Sequence, residues 1–315
     1  MPLALLAVVV GLVLLTKAAD LFVAGAARLS SALNVPPVII GAVVVGFGTS
    51  APEMVVSGIA STQGKLDIAA GNIIGSNVAN LTLVLGVSAL LCTMTVTSSV
   101  LRKEAPLSVA SVLLFAFFIQ DGLERWEGVV LLLALVAALA FLFLGSRDGS
   151  DELVSEVDEY LEDEESISTA REALRTLVGL VGVIGGAQLA VWGASDIAAR
   201  LDLAEGFVGL TLIALGTSLP ELVTAVAAAR KNEHDLIVGN LLGSNMFNSL
   251  AVGATAGLLG PGQLDSDVLA GSGTVIMIGV ALAAWVFMFT GKRINRNEAI
   301  TLLAAYAVTV PLLAG

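Results

Sequence analysis

Two short stretches decide the fold: GTSAPE at residues 48–53 and GTSLPE at residues 216–221. A second related pair follows, GNIIGSNVAN at residues 71–80 and GNLLGSNMFN at residues 239–248. Glu221 follows Glu53 by 168 residues, and Asn248 follows Asn80 by the same number. A constant offset across about forty residues indicates two copies of one structural unit.

Composition places this duplicated unit in a membrane. The chain has 315 residues, of which 57% are hydrophobic and 13% charged, and its mean hydropathy is +0.93. A soluble domain carries about 25% charged residues. The apolar residues form ten blocks, most of them near the roughly 20 residues that a helix needs to cross a bilayer: 3–33, 37–62, 66–91, 105–120, 126–145, 174–201, 206–231, 235–259, 268–290 and 298–314. Since residues 129–143 do not alternate polar and apolar as in a β-barrel, we predict an all-α polytopic membrane protein with ten transmembrane helices.

Each half of the chain then holds five spans. Because five is odd, the second half enters the membrane from the opposite side, which gives two inverted five-helix repeats. We predict the first repeat at residues 1–147, an acidic linker at 148–170 and the second repeat at 171–315. Ten of the eighteen residues from 148 to 165 are acidic, which is typical of a solvated linker.

The Lys and Arg residues predict the orientation. With ten spans, eleven of these residues lie on the side that holds the linker, three lie on the other side and Lys17 lies within the first span. Positive charge concentrates on the cytoplasmic side. We therefore expect a multi-pass protein of the cell membrane with a cytoplasmic linker and both termini extracellular.

Glu53 and Glu221 are ionisable residues placed near the middle of predicted spans. An ionisable residue at that depth costs at least about 2.5–3.5 kcal/mol and usually faces a cavity or pathway. Each Glu follows a proline, which lacks an N–H and clashes with the carbonyl four residues earlier. We expect Pro52 and Pro220 to break their helices and to free carbonyl oxygens that need another partner, such as a cation.

Helical spacing gathers more oxygen atoms around each Glu. Thr49, Ser50 and Glu53 share one helix face, because they are three or four residues apart. The next span carries a polar stripe at every fourth residue, Asn72, Ser76 and Asn80, and the second half repeats both sets as Thr217, Ser218 and Glu221 and as Asn240, Ser244 and Asn248. Such hard oxygen donors suit Ca²⁺, whereas the absence of thiolate and imidazole disfavours zinc, copper and nickel.

These doubled motifs resemble those of the calcium/cation antiporter superfamily, and most closely its prokaryotic sodium/calcium exchangers. The resemblance extends over the whole ten-span layout. It implies a calcium position coordinated by Glu53, Glu221, Thr49 and Thr217. The sodium positions that it implies use Gly46, Ser50, Ser76, Asn80, Ala214, Ser218, Ser244 and Asn248, with main-chain carbonyls at Gly46 and Ala214.

The resemblance also implies a monomeric functional unit in the lipid bilayer that uses no cofactor besides the transported Ca²⁺ and Na⁺. Its long first and sixth spans are expected to slide against the other eight. Some relatives carry Asp at the position of Asn248. Here Asn80 and Asn248 are both neutral, so the site holds two negative charges and the number of sodium ions stays open.

The residues leave one close alternative, an antiporter that couples calcium or another divalent cation to protons carried by the two Glu residues. A passive channel would need no inverted site. An intramembrane enzyme would need a nucleophile or catalytic acid pair with a substrate groove, which the sequence does not indicate. No feature predicts nucleic-acid binding. We therefore predict sodium/calcium antiport and no enzymatic activity.

Overall fold

The computed structural model describes residues 1–32, 50–96, 102–145, 169–231 and 234–312. Almost all of them are helical. The helices are α1 (Pro2–Ala32), α2 (Ala51–Thr62), α3 (Leu66–Leu91), α4 (Glu104–Asp121), α5 (Arg125–Gly145), α6 (Thr169–Leu201), α7 (205–217), α8 (Leu219–Lys231), α9 (234–259), α10 (Leu269–Gly291) and α11 (Arg296–Leu312). Strands β1 (Met94–Thr95) and β2 (Arg293–Ile294) form one short antiparallel pair.

Seven of these helices are long and apolar enough to cross a membrane on their own. They are α1, α3, α4, α5, α6, the continuous 205–230 segment and α10. Large apolar side chains on their outer faces, such as Phe117 and Phe289, are exposed, as lipid contact allows. The prediction of an all-α polytopic membrane protein is confirmed at this level.

Helix irregularities repeat with the same offset as the sequence. A π-helical turn interrupts α3 at Asn80–Val84, and another interrupts α9 at Asn248–Val252. The α-helical stretches before them, Leu66–Ala79 and His234–Phe247, also correspond residue for residue. Further π-helical turns lie in α7 at Gly209–Ile213 and at the start of α10 at Leu269–Gly273, and α4 ends in a 3₁₀ turn at Ile119–Asp121.

Helices α1 and α6 pack against each other along most of their length. They run antiparallel, because Gly193 meets Ala4 while Thr176 meets Gly25. Glycines permit the close approach: a Cβ added to Gly186 would lie 2.8 Å from the Gly11 main-chain oxygen. This pair meets the remaining helices mainly through α2 and α7.

Contacts between the two halves come in related pairs. An added Cβ on Gly11 would lie 2.7 Å from the Ala190 nitrogen. An added Cβ on Gly179 would lie 2.5 Å from the Phe22 nitrogen. Gly179 corresponds to Gly11, and Ala190 corresponds to Phe22, so exchanging the halves converts one contact into the other.

The loops pair across the halves as well. Strand β1 follows α3 and pairs with β2, which precedes α11. Leu123, between α4 and α5, forms a two-way backbone bridge with Gly262, between α9 and α10. Each contact therefore joins a loop of the first half to a loop of the second.

Within the described ranges, the predicted spans match the helices closely, except near the linker. Residues 37–49 of the second predicted span lie outside those ranges. Helix α6 begins at Thr169, five residues before the predicted span and inside the predicted linker range. Its first turns carry Glu172 and Arg175, whose side chains form an ion pair at 3.0 Å. Hydropathy finds only the apolar part of a helix, so this polar turn was not predicted. Residues 146–168, which include most of the acidic linker, lie outside the described residues.

Candidate cation site

Corresponding serines directly precede the two helices that carry the Glu residues. Ser50 has φ −96° and ψ 7°, and Ser218 has φ −84° and ψ 5°. A new helix starts immediately after each serine, so Pro52 and Pro220 lie in first turns, where the missing N–H costs no hydrogen bond. The break predicted from Pro220 is confirmed and falls at Ser218. The residues that lead up to Ser50, 33–49, lie outside the described residues.

Each Glu lies in the first turn of the helix that starts directly after one of these serines. Glu53 lies in the first turn of α2, and Glu221 lies in the first turn of α8. The positive end of the helix dipole there favours a carboxylate. Both side chains are buried, with 0% and 1% exposure.

The neutral candidate ligands are buried with them. Ser50, Ser76, Asn80, Ala214, Thr217, Ser218, Ser244 and Asn248 all have 3% exposure or less. Thr49 and Gly46 lie outside the described residues, so their predicted roles have no structural account here. The described candidates lie on α2, α3, α7, α8 and α9, or at the serines directly before α2 and α8, and these helices contact one another in the bundle.

Asn72 ties three of these helices together. Its Nδ2 donates to the Ser57 hydroxyl at 3.0 Å and to the Glu53 main-chain oxygen at 3.4 Å, both on α2. Its Oδ1 accepts from the Thr217 hydroxyl on α7 at 3.2 Å. Asn72 therefore links a candidate ligand of the second half to the Glu53 helix of the first. Ser57 was not predicted, although it lies one turn after Glu53 on the same face.

A second amide group joins α3 to α9. The Asn80 Nδ2 donates to the Asn245 Oδ1 at 3.1 Å, and the Asn245 Nδ2 donates to the Asn77 main-chain oxygen at 3.0 Å. Asn77 and Asn245 occupy corresponding positions in the two motifs. Sequence reasoning missed both of them, because they fall one residue off the predicted polar stripe.

Most candidate ligand atoms have no hydrogen-bond partner among the described residues. These atoms are the Ser50, Ser76 and Ser218 hydroxyls, both carboxylate oxygens of Glu53 and of Glu221, the Asn80 Oδ1 and the Asn248 amide oxygen and nitrogen. A buried charge costs a great deal of free energy unless it is paired or coordinates a metal ion. The unpaired oxygens lie where the sequence predicts the cation.

One predicted ligand atom is already engaged. The Ala214 main-chain oxygen accepts from the Thr217 hydroxyl at 3.3 Å and from the Ser218 nitrogen at 3.0 Å. Within the described ranges, no three His, Cys, Asp or Glu residues form a metal-binding group. The donor set is thus two carboxylates among neutral oxygens, which is chemistry for a hard cation rather than zinc or copper.

Comparison with known proteins identifies the family of this chain. Residues 3–144 and 172–314 match the family described as sodium/calcium exchanger protein. The chain belongs to this family. The two matched stretches fall on either side of the predicted linker.

Individual relatives of the exchanger family agree over nearly the full length. The chain is 30% identical to the sodium/calcium exchanger MaX1 of Methanosarcina acetivorans over 342 residues, which cover 98% of this chain and 97% of the relative. It is 34% identical to the inner membrane protein YrbG of Escherichia coli over 310 residues, which cover 97% of this chain and 95% of that protein. A solved structure of the sodium-calcium exchanger NCX_Mj matches with a TM-score of 0.65 and 30% identity, covering 98% of both chains.

These findings confirm the resemblance drawn from the motifs. This exchanger is a prokaryotic calcium/cation antiporter and a multi-pass membrane protein. Members of its family are transporters and not enzymes, in agreement with the sequence.

Proposed function

We propose that this protein exchanges sodium for calcium by alternating access at one mid-membrane site. The observation that carries the proposal is the pair of buried carboxylates, Glu53 and Glu221, whose four oxygens have no partner among the described residues. Two negative charges neutralise one Ca²⁺. They can also hold sodium ions together with the surrounding neutral oxygens.

The proposed ligands are those predicted from the sequence. Glu53, Glu221, Thr49 and Thr217 would coordinate Ca²⁺. The sodium ligands would be Gly46, Ser50, Ser76, Asn80, Ala214, Ser218, Ser244 and Asn248. The oxygens without a partner among the described residues support five of the sodium ligands: Ser50, Ser76, Asn80, Ser218 and Asn248. For Ala214, ion binding would have to compete with the Thr217 hydroxyl.

We further propose ten spans in two inverted repeats, residues 1–147 and 171–315. The antiparallel contact of α1 with α6 supports an odd number of spans per half, because corresponding helices then point in opposite directions. The loop contacts support the count: in a ten-span chain, β1 and β2 share one membrane face, and Leu123 and Gly262 share the other. With the positive-inside rule, this places the acidic linker in the cytoplasm and both termini outside.

The moving part would be the α1–α6 pair. It contacts the other helices mainly through α2 and α7, which border the site. Leu12 of α1 lies against Gly216 beside the α7 break, where an added Cβ would clash with its side chain. A displacement of this pair would therefore open or close a path to Thr217 and Glu221. The functional unit in this mechanism is one copy of the chain in the bilayer.

The alternative is coupling to protons, because buried carboxylates can carry them. The chain has a single histidine, His234. It begins α9 and contacts Thr95 near the β1–β2 pair rather than the carboxylates. The two Glu residues would then have to carry the protons alone.

The test measures which gradient drives calcium. Purified protein in liposomes is given an outward sodium gradient or a pH gradient, and calcium-45 uptake is followed. We expect uptake only with the sodium gradient, and none for Glu53→Gln or Glu221→Gln. Uptake driven by the pH gradient alone would favour the proton alternative, and flux without any counter-ion gradient would indicate a channel.

A further inference from the structure

Asn77 and Asn245 take no place in the proposed ligand set, yet they meet at the centre of the molecule. Each is the counterpart of the other, 168 residues apart. The Asn245 side chain nevertheless crosses to the Asn77 main-chain oxygen at 3.0 Å. A residue can contact its own counterpart only where the two halves meet, so this contact marks the position of the twofold relation between them.

Hydrogen-bond chemistry fixes the direction of each amide. A main-chain carbonyl only accepts, so Asn245 must turn its Nδ2 toward Asn77 and its Oδ1 away. That Oδ1 accepts from the Asn80 Nδ2 at 3.1 Å. Asn80 must therefore present its own Oδ1 on the other side, where it is buried without a partner among the described residues. Asn245 thereby orients Asn80 with an oxygen available to a cation.

The equivalent bond in the other half is not made. Exchange of the halves would convert the Asn80–Asn245 bond into a bond from the Asn248 Nδ2 to the Asn77 Oδ1. In the described part of the chain, both of these buried atoms have no partner. Asn77 instead folds back, and its Nδ2 donates to the Ile73 main-chain oxygen of its own helix at 2.9 Å. The group therefore exists in one of two equivalent arrangements.

We propose that Asn77 and Asn245 are positioning residues that form a two-state amide latch. In the present arrangement Asn245 crosses between the halves and orients Asn80. In the opposite-facing state Asn77 crosses and orients Asn248. In the described state only one of them crosses: Asn245 bonds across the halves, while Asn77 bonds to Ile73 of its own helix. This inference rests on the proposed function, because only a site that opens alternately to the two membrane faces would use both arrangements.

The latch predicts that each substitution lowers the apparent affinity for sodium on one membrane face only. Without Asn245, the Asn80 amide can rotate and turn its NH₂ toward the site, which repels a cation. Asn245→Ala should raise the half-saturating sodium concentration about tenfold on one membrane face, as expected for loss of one buried hydrogen bond. Asn77→Ala should do the same on the opposite face. The maximal rate should change less than twofold in both variants.

The experiment uses right-side-out and inside-out vesicles loaded with calcium-45. Sodium added outside drives calcium efflux, so the two preparations report the two faces of the protein separately. Ser88→Ala is the matched control, because Ser88 is buried on α3 and its hydroxyl donates only to the Val84 carbonyl of its own helix. It should leave both half-saturating concentrations unchanged. Asn77→Ala/Asn245→Ala should raise both.

Thermal unfolding and gel filtration check that each variant folds. If an alanine variant does not, serine at that position replaces it, and the same sidedness is expected because the shorter side chain cannot anchor the neighbouring amide. If the wild type shows sodium-dependent calcium efflux but the two single variants affect the same face, or neither face, the latch alone is overturned. A wild type without sodium-dependent calcium efflux would overturn the proposed function, and the latch with it.

Discussion

The two copies of the polar motif share their sequence but not their surroundings. Asn72 in the first half is buried and bonds to Ser57, to the Glu53 main chain and to Thr217. Its counterpart Asn240 is partly exposed, and its Nδ2 is buried with no partner among the described residues. One cause is visible in the sequence, since the position equivalent to Ser57 is Ala225.

The duplication therefore fixes which residue types lie at the site, but it does not fix the hydrogen bonds that each half makes. Among the described residues, Asn72 is tied to its neighbours by three hydrogen bonds, whereas the Asn240 Nδ2 has none. Thr49, which corresponds to Thr217, lies outside those residues. A site that opens alternately to two sides needs such inequality, because a symmetric arrangement would expose both sides or neither. The amides of Asn80 and Asn248 show the same contrast, since one is anchored and the other is not.

Substitutions of the two carboxylates should have the greatest effect, and they test whether both halves contribute equally to calcium binding. Glu53→Gln and Glu221→Gln should each weaken calcium binding by about 100-fold or more, because removing one charge from a buried charged set costs about 3–5 kcal/mol. Calorimetric titration with calcium measures both. A loss in only one variant would mean that the site belongs to one half.

The next largest effect should come from a negative charge introduced at Asn248 or at its counterpart Asn80. Asn248→Asp should tighten calcium binding about tenfold, because it adds a negative charge without breaking a hydrogen bond. Asn80→Asp should gain less, because a carboxylate cannot donate to the Asn245 Oδ1 and would be repelled by it. The same titration compares the two variants. Unchanged binding and transport in Asn248→Asp would show that Asn248 does not face the ions.

Substitutions of Asn72 and Asn240 should have a smaller effect, and it should appear in the free energy of unfolding. Asn72→Ala removes three hydrogen bonds, each worth about 0.6 kcal/mol within a membrane, and should lower the free energy of unfolding by about 2 kcal/mol. Asn240→Ala removes an amide whose nitrogen is unpaired and should cost clearly less. Thermal unfolding in detergent measures both. Equal losses would mean that Asn240 is as firmly bonded as Asn72.

Much of the fold could be predicted because apolar length and a constant offset are sequence properties. The span predicted at 66–91 has the bounds of α3, Leu66–Leu91. The π-helical turns could not be predicted, because hydropathy does not distinguish a 3.6-residue period from a local bulge. The break at Ser218 was expected from Pro220, but its exact residue depends on tertiary contacts.

The candidate site was predictable to the level of its residue types. Buried Glu residues after prolines indicate an ion site from sequence alone, because their cost in the membrane requires a function. The different hydrogen bonds of Asn77 and Asn245 could not be predicted, since the two residues lie in identical GSN triplets. Which of the two crosses between the halves is a property of one conformation, not of either triplet.

Exchanging the residues at the corresponding positions 57 and 225 should have the smallest effect. Ser57→Ala should lower the free energy of unfolding by about 0.6 kcal/mol, because the Asn72 Nδ2 loses its shorter bond. Ala225→Ser should raise it by a similar amount, because a hydroxyl at the equivalent position can accept from the unpaired Asn240 Nδ2. The two melting temperatures should therefore move in opposite directions by about 1–2 °C. If Ala225→Ser melts lower than the wild type, Asn240 does not face position 225, and the missing hydroxyl is not what separates the two halves.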